Sequence, residues 1–483
     1  MDTAIQLLKT SANTKYEEVT GPLIYQNGAV GFTVRLLAIA RQRDAARQET
    51  PIDSVAGLAG SVRVPGDKSI SHRSIMLGAI AEGDTHISGF LEGADALATL
   101  AAFEAMGVPI DQLGGGKLIV KGRGLHGLQA PAESLYVGNS GTSMRLLAGL
   151  LAGQTFSSTL TGDVSLTGRP MNRVAVPLRE MGAEIITAEE GRPPLEIAGK
   201  AALHGIDYVL PIASAQVKSC LLLAGLYASG RTTVTEPAPT RDHTERMLQG
   251  FGYVVERSGP TASLLGGGKL TATVIDIPAD ISSAAFFLVA GSITPNSEIT
   301  LQHVGINPTR TGVIDILKLM GADITLTNPR DVGGEPVADL VVRSAQLHGI
   351  DIPPALVPLA IDEFPVIFIA AACAAGRTVL TGAEELRVKE SDRIQAMVDG
   401  LLALGVNVRG TEDGAIIEGG PIGAGLDSVS INCHHDHRIA MAFAVASAQA
   451  QCDIEVQDCD NIVTSFPNFV ELGCQLGLSL ELA

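Results

Sequence analysis

A short phrase recurs six times along the chain, and any fold it adopts has to accommodate the repeat. EAMGVPI, REMGAEI, QGFGYVV, KLMGADI, LALGVNV and CQLGLSL place glycines at 107, 182, 252, 321, 405 and 477, a period of roughly 70–85 residues. The residues before each glycine read as the last turn of an amphipathic helix, and the alternation after it reads as a strand. Upstream of each phrase lies a helix of another kind, polar only at its start. Such stretches open at Lys68, Asn139, Ser214, Asp280, Asp362 and Asp436 and continue in Ala, Leu, Ile, Val and Phe. A helix apolar all round is a buried one. Gly83, Gly153, Gly230, Gly376 and Asn296 stand where left-handed helix C-caps are expected. THISGF, FSSTLTG, TTVTEP, SEITLQH, TVLTGA and CDIEV follow as strands, so the unit is helix–strand–helix and then about three strands.

This period is too long for a solenoid and too short for six domains. The six units are expected to divide three and three, each trio closing around its own buried helices in an α/β domain. The last unit runs out at LSLELA, and GSVRVPG near the start is expected to supply one of its missing strands. That makes residues 66–278 a domain inserted into a discontinuous one, built from 55–65 plus 279–483. Residues 1–54 match nothing in the repeat and read as an N-terminal extension without assigned role. Residues 31–48 carry an amphipathic helical pattern, and removal of 1–54 is expected to leave activity intact.

The balance of 34 Lys+Arg against 52 Asp+Glu leaves a formal charge of −18. Such a surface repels nucleic acid and anionic membranes, so basic residues matter where they cluster. The six cysteines show no CxxC spacing, and Cys220 and Cys373 fall inside buried-helix patterns. No stretch is long and apolar enough to span a bilayer, and the start lacks a signal-peptide layout. A reduced, cytoplasmic protein without nucleic-acid or membrane partners is expected.

Basic residues do cluster. Lys68, Arg73, Arg145, Lys218 and Arg438 stand at buried-helix starts. Arg169, Arg241, Arg310, Lys389 and Arg393 stand in the loops before the amphipathic helices. Helix N-termini present unpaired N–H groups and a positive dipole end, so the set predicts a cationic cleft for a small polyanion. Each piece alone is ordinary. GDKS misses the P-loop spacing and fits a capped helix. RVKESDR fits a self-paired helix start, with Glu390 and Arg393 three apart. His434, His435 and His437 lack metal-ligand spacing, and SAQVK lacks a nucleophile elbow. Capping alone would not place so many cations at equivalent points of six repeats.

GDKSISHR, GNSGTSMRLLAG, GDVSLTGRPM, ASAQVKS, TRDHTERML, IDEFPV, LRVKESDRI, DHRIAMAFA and TSFPNF, in this order, resemble the 5-enolpyruvylshikimate-3-phosphate synthases, in particular their bacterial class II. The resemblance implies a two-domain enolpyruvyl transferase fold, each domain three βαβαββ repeats around parallel buried helices. It implies transfer of the enolpyruvyl group of phosphoenolpyruvate to the 5-hydroxyl of shikimate 3-phosphate, with no metal or organic cofactor, and a monomer is expected. By the same resemblance Lys68, Asp362 and Glu390 are the catalytic residues, Asp362 as base and Glu390 as acid. Lys68, Ser69, Arg73, Ser214, Ala215, Gln216, Arg241, Asp362 and Lys389 would bind shikimate 3-phosphate. Lys68, Asn139, Gly141, Thr142, Arg169, Gln216, Arg393 and Arg438 would bind phosphoenolpyruvate. Thr464 stands where many members carry Lys. The sister transferase acting on UDP-N-acetylglucosamine is the nearest alternative, but its loop Cys has no counterpart here.

Overall fold

The structure is a computed structural model that describes residues 35–38, 57–199 and 202–482. Six buried helices organise it: α1 (Lys68–Ala79), α2 (Gly141–Ala152), α3 (Ala215–Gly225), α4 (Ile281–Ile293), α5 (Phe364–Cys373) and α6 (His437–Ala446). Every residue of α4 is buried, as a helix without a polar face requires. The buried apolar side chains form two clusters. One takes residues between 70 and 277, around α1–α3. The other takes residues between 36 and 64 and between 279 and 480, around α4–α6.

Each amphipathic helix ends as the recurring phrase predicts. Gly107, Gly182, Gly252, Gly321, Gly405 and Gly477 all have φ between 77° and 102°, a region side chains other than glycine's enter only under strain. Gly153 departs from the expected left-handed cap: its φ is −89°. Glycine is needed there for space, since a Cβ would lie 2.2 Å from Tyr227 Cγ.

Six sheets repeat one plan. The strand after each buried helix is parallel to a strand, or in the fifth unit to isolated bridges, supplied from earlier in the ring. In five units its other edge meets an antiparallel strand of the same unit. Val274–Asp276, at the end of the third unit, returns parallel to Ala81–Ser88 of the first and closes the trio α1–α3.

The other trio is completed differently from expectation. Ala59–Val62, which overlaps the start of GSVRVPG, joins the fourth unit rather than the sixth, parallel to Glu298–Gly305. The sixth unit's missing strand is Leu36–Ala38, antiparallel to both Asp453–Gln457 and Leu480–Leu482. Residues 1–54 therefore do hold a repeat strand, and Leu36–Ala38 is extended where a helical pattern was read. Pairing on two edges decides it, with Leu36 and Ala38 fully buried and Arg35 Nη1 2.8 Å from Glu455 Oε1. The rest of that segment lies outside the described residues.

Two chain crossings join the halves, side by side. Asp67 N donates to Pro278 O at 2.8 Å, and Asp280 N donates to Pro65 O at 2.9 Å. Gly66 is obligatory between them, because a Cβ there would meet Gly89 O at 1.8 Å.

Candidate active site

The six buried helices bring their N-terminal turns to the seam between the halves, and their caps differ. Asp67, Asp280 and Asp436 cap α1, α4 and α6 with their own carboxylates. Ser140 and Ser214 cap α2 and α3 with neutral hydroxyls. A carboxylate cap neutralises the dipole end it sits on, whereas a serine cap leaves it attractive to an anion. The two anion-ready helix starts belong to the same half and carry Gly141, Thr142, Ala215 and Gln216.

These starts are cross-linked. Gln216 Nε2 donates to Thr142 Oγ1 at 2.9 Å while its carbonyl accepts from Arg145 Nη1. Arg169 Nη2 donates to Asn139 Oδ1 at 2.6 Å, and Asn139 Nδ2 to Asp163 Oδ2 at 2.7 Å. Burial, with Arg173 and Arg169 close by, pulls Arg145 down to about 10. Nε of both Arg145 and Arg169 is buried without a hydrogen-bond partner among the described residues.

From the other half come Asp362 and Glu390, and cations of both halves surround them. Arg241 pairs with Asp362 across the seam. Lys389 Nζ lies 3.5 Å and Arg393 Nη1 3.3 Å from Asp362 Oδ1, and Arg438 Nη1 donates to Asp362 O at 2.9 Å. Glu390 Oε2 accepts from Arg393 Nη2 at 2.6 Å, and its Oε1 lies 3.7 Å from Arg169 Nη1. Burial raises the pKa of Asp362, but Lys389, Arg241, Arg438 and Arg393 outweigh it and hold it well below the usual range. Burial likewise raises Glu390, and Arg393, Arg169 and His437 outweigh that. Both carboxylates are ionised in the ligand-free site. Each occupies a cationic position that an arriving phosphate or carboxylate group would take over. Lys68 is held in reserve by an ion pair with Asp95, a residue the sequence reading passed over. The helix start GADALATL was its only signal.

The family model described as EPSP synthase (3-phosphoshikimate 1-carboxyvinyltransferase) matches residues 52–472. The chain belongs to the EPSP synthase family. Among similar proteins, the 3-phosphoshikimate 1-carboxyvinyltransferase of Methylococcus capsulatus is 64% identical over 88% of this chain and 97% of its own length. That of Alkalilimnicola ehrlichii is 65% identical over 88% and 94%. A solved structure of EPSP synthase from Acinetobacter baumannii superposes with a TM-score of 0.82 at 55% identity, covering 93% of this chain and all of that one. The mixed α/β two-domain fold of the EPSP synthases is the fold of this chain.

In this EPSP synthase family member, not every basic residue at a helix start reaches the seam. Lys218 is 1% exposed, sealed between Glu236 at 3.0 Å and Glu245 at 2.9 Å, so it is no part of a cationic cleft. Arg310 is likewise buried, beside the chain crossings. Arg73 is 4% exposed and bonds Thr244 Oγ1, Ser219 Oγ and Ser69 O, which ties Ser69 in place from behind. Lys68, Ser69, Asn139, Thr142, Arg169, Ser214, Ala215, Gln216, Arg241, Asp362, Lys389, Glu390 and Arg438 all keep partial exposure. Gly141 is buried beneath them, and a Cβ on it would sit 3.0 Å from Arg145 Nη1 and 3.4 Å from Arg169 Nη1. Arg393 is 2% exposed behind Asp362 and Glu390, with Nε donating to Asp436 at 2.8 Å. Thr464 supplies no cation; its carbonyl would lie 2.7 Å from a Cβ on Gly93, where the halves touch.

Proposed function

We propose that this protein transfers the enolpyruvyl group of phosphoenolpyruvate to the 5-hydroxyl of shikimate 3-phosphate, releasing phosphate. Membership of the EPSP synthase family supports the reaction. The observation that carries it to this chain is the meeting of Asp362 and Glu390 with Arg169 and Arg241 of the opposite half.

In the first step the 5-hydroxyl oxygen attacks C2 of phosphoenolpyruvate while C3 takes a proton, giving a tetrahedral ketal phosphate. Asp362 accepts the hydroxyl proton and Glu390 delivers the proton to C3. Elimination then removes a proton from C3 and expels phosphate. Glu390 is anionic in the empty site, so it must be loaded with a proton after the substrates bind. Substrate anions that engage Arg169 and Arg393 weaken their hold on Glu390, and its pKa rises toward the working range. The same exchange at Arg241 and Lys389 makes Asp362 a stronger base. Lys68, released from Asp95, bridges both substrates and stabilises the charge that develops.

Shikimate 3-phosphate is held by Lys68, Ser69, Arg73, Ser214, Ala215, Gln216, Arg241, Asp362 and Lys389. Phosphoenolpyruvate is held by Lys68, Asn139, Gly141, Thr142, Arg169, Gln216, Arg393 and Arg438. The serine-capped starts of α2 and α3 favour this division. We further assign the chain to the bacterial class II type on its nine ordered motifs, and read it as a cytoplasmic monomer. The two apolar clusters support a division at residues 66 and 278, with Leu36–Ala38 belonging to the discontinuous half. Phosphate release that requires both substrates together is the test. Release from either alone, or none, would refute the reaction.

A further inference from the structure

Beside the two crossings lies a buried ionic clasp that the proposed chemistry does not use. At its centre Arg310 is 2% exposed. Its Nη1 donates to Asp67 Oδ2 at 2.8 Å, and its Nη2 to Asp280 Oδ1 at 2.9 Å and to Ser282 Oγ at 2.8 Å. Asp67 and Asp280 are themselves 3% and 6% exposed. A buried ion pair contributes little net stability against a well-packed apolar substitute, so three buried charges in one place call for another explanation.

What the clasp holds is specific. Asp67 caps α1, accepting from Ile70 N at 2.9 Å, and α1 begins at Lys68. Asp280 Oδ2 accepts from the backbone N–H of Lys68 at 3.2 Å. Both carboxylates paired with Arg310 therefore grip the first turn of α1, one from each half. On its other side the clasp continues: the Ser282 hydroxyl that accepts from Arg310 donates to Glu363 Oε1. Glu363 is 2% exposed, directly follows Asp362, and lies 3.6 Å from Arg438 Nη1. One unbroken chain of contacts thus runs from the backbone of Lys68, through Asp280, Arg310 and Ser282, to Glu363, the residue beside Asp362.

We propose that Arg310 is a positioning residue: with Ser282 it sets the separation of Lys68 from Asp362, two groups that belong to opposite halves. Arg310 never touches substrate. A lysine could satisfy one carboxylate but cannot span Asp67, Asp280 and Ser282 at once. The inference rests on the roles of Lys68 and Asp362 proposed above.

The test measures steady-state phosphate release by the full-length wild type and variants, alongside thermal unfolding, well below the melting temperature. Misplacement of a reacting group by about 1 Å costs on the order of 10²-fold. Arg310→Lys is expected to lower kcat by about that factor, with KM for each substrate changed less than about threefold. In a Lys68→Met background the same substitution should cost much less, since its effect runs through Lys68. Ser282→Ala leaves both ion pairs in place, so it folds even if Arg310→Lys does not. It should lower kcat by about tenfold in a protein that remains folded at the assay temperature, and Ser282→Thr, which keeps the hydroxyl, should restore most of the loss. Wild-type kcat in both Arg310→Lys and Ser282→Ala, with only the melting temperature reduced, would overturn the inference and leave the reaction standing. Equal losses from Arg310→Lys with and without Lys68 would overturn it too. Absence of turnover by the wild type would sink the proposed reaction and this inference with it.

Discussion

Glu390→Gln separates a proton donor from a mere partner of Arg393. Glutamine keeps the shape of glutamate and an oxygen for Arg393, whose Nη2 lies 2.6 Å from Glu390 Oε2. It has no proton to give to carbon. Arg393 remains neutralised by Asp436 at 2.8 Å and Asp362 at 3.3 Å, so the change strands no buried cation and the fold should hold. Arg169, 3.7 Å from Glu390, loses a competing anion and should bind phosphoenolpyruvate at least as well. Loss of a general acid costs about 10²–10⁴ in kcat, or about 2.7–5.5 kcal/mol of barrier. The assay is phosphate release at saturating shikimate 3-phosphate over a range of phosphoenolpyruvate, with circular dichroism to verify folding. KM should stay within about threefold of wild type. A near-normal kcat with a raised KM would refute the reasoning, because Glu390 would then serve only to brace Arg393.

Truncation distinguishes the two parts of the N-terminal segment. Removing residues 1–34 should leave activity and melting temperature unchanged. Removing 1–38 deletes the buried Leu36 and the pairing on two edges, and should lower stability by on the order of 2–5 kcal/mol in urea unfolding. Gly141→Ala places a methyl 3.0 Å from Arg145 Nη1. It should weaken inhibition by glyphosate, the inhibitor of this family's phosphoenolpyruvate site, more than it raises KM for phosphoenolpyruvate; equal losses would remove the steric account. Asp362 and Glu390 are held well below their unfolded values of 3.8 and 4.5. Their stabilisation is therefore complete above those values and is lost as pH falls below them toward the folded pKa. The urea midpoint should drop on acidification below pH about 4.5, and Asp362→Asn should make that drop shallower; an unchanged slope would count against the depressed pKa.

The fold was legible wherever a local rule was strong enough to repeat. Six glycines at one register, all confirmed with positive φ, exposed the repeat because only a backbone demand keeps glycine at such a spacing. The strand Leu36–Ala38 was not legible: three residues carry no period, and its reason for being extended lies 420 residues away at Glu455. In the site, sequence marked which helix starts carry charge but not which way each charge faces. Lys218 and Lys68 look alike in SAQVKS and GDKS. Yet one is four residues into its helix, where it turns into Glu236 and Glu245, and the other is the first residue and meets the seam. Asp95, Asp280 and Glu363 were invisible as partners because contacts between units leave no local spacing behind.

The sharing of strands between distant parts of the chain also fixes an order of assembly. Val274–Asp276 closes the ring of α1–α3 before α4 begins, so on a ribosome that half has all its strands in hand while the other has only its opening segments. Leu36–Ala38 must then wait, with both edges bare, until Asp453–Gln457 and Leu480–Leu482 are made. An apolar edge left unpaired while the intervening chain is made is an aggregation hazard, and here it is only three residues long. A chain released after residue 280 would carry every strand of one half, and neither Asp362 nor Glu390.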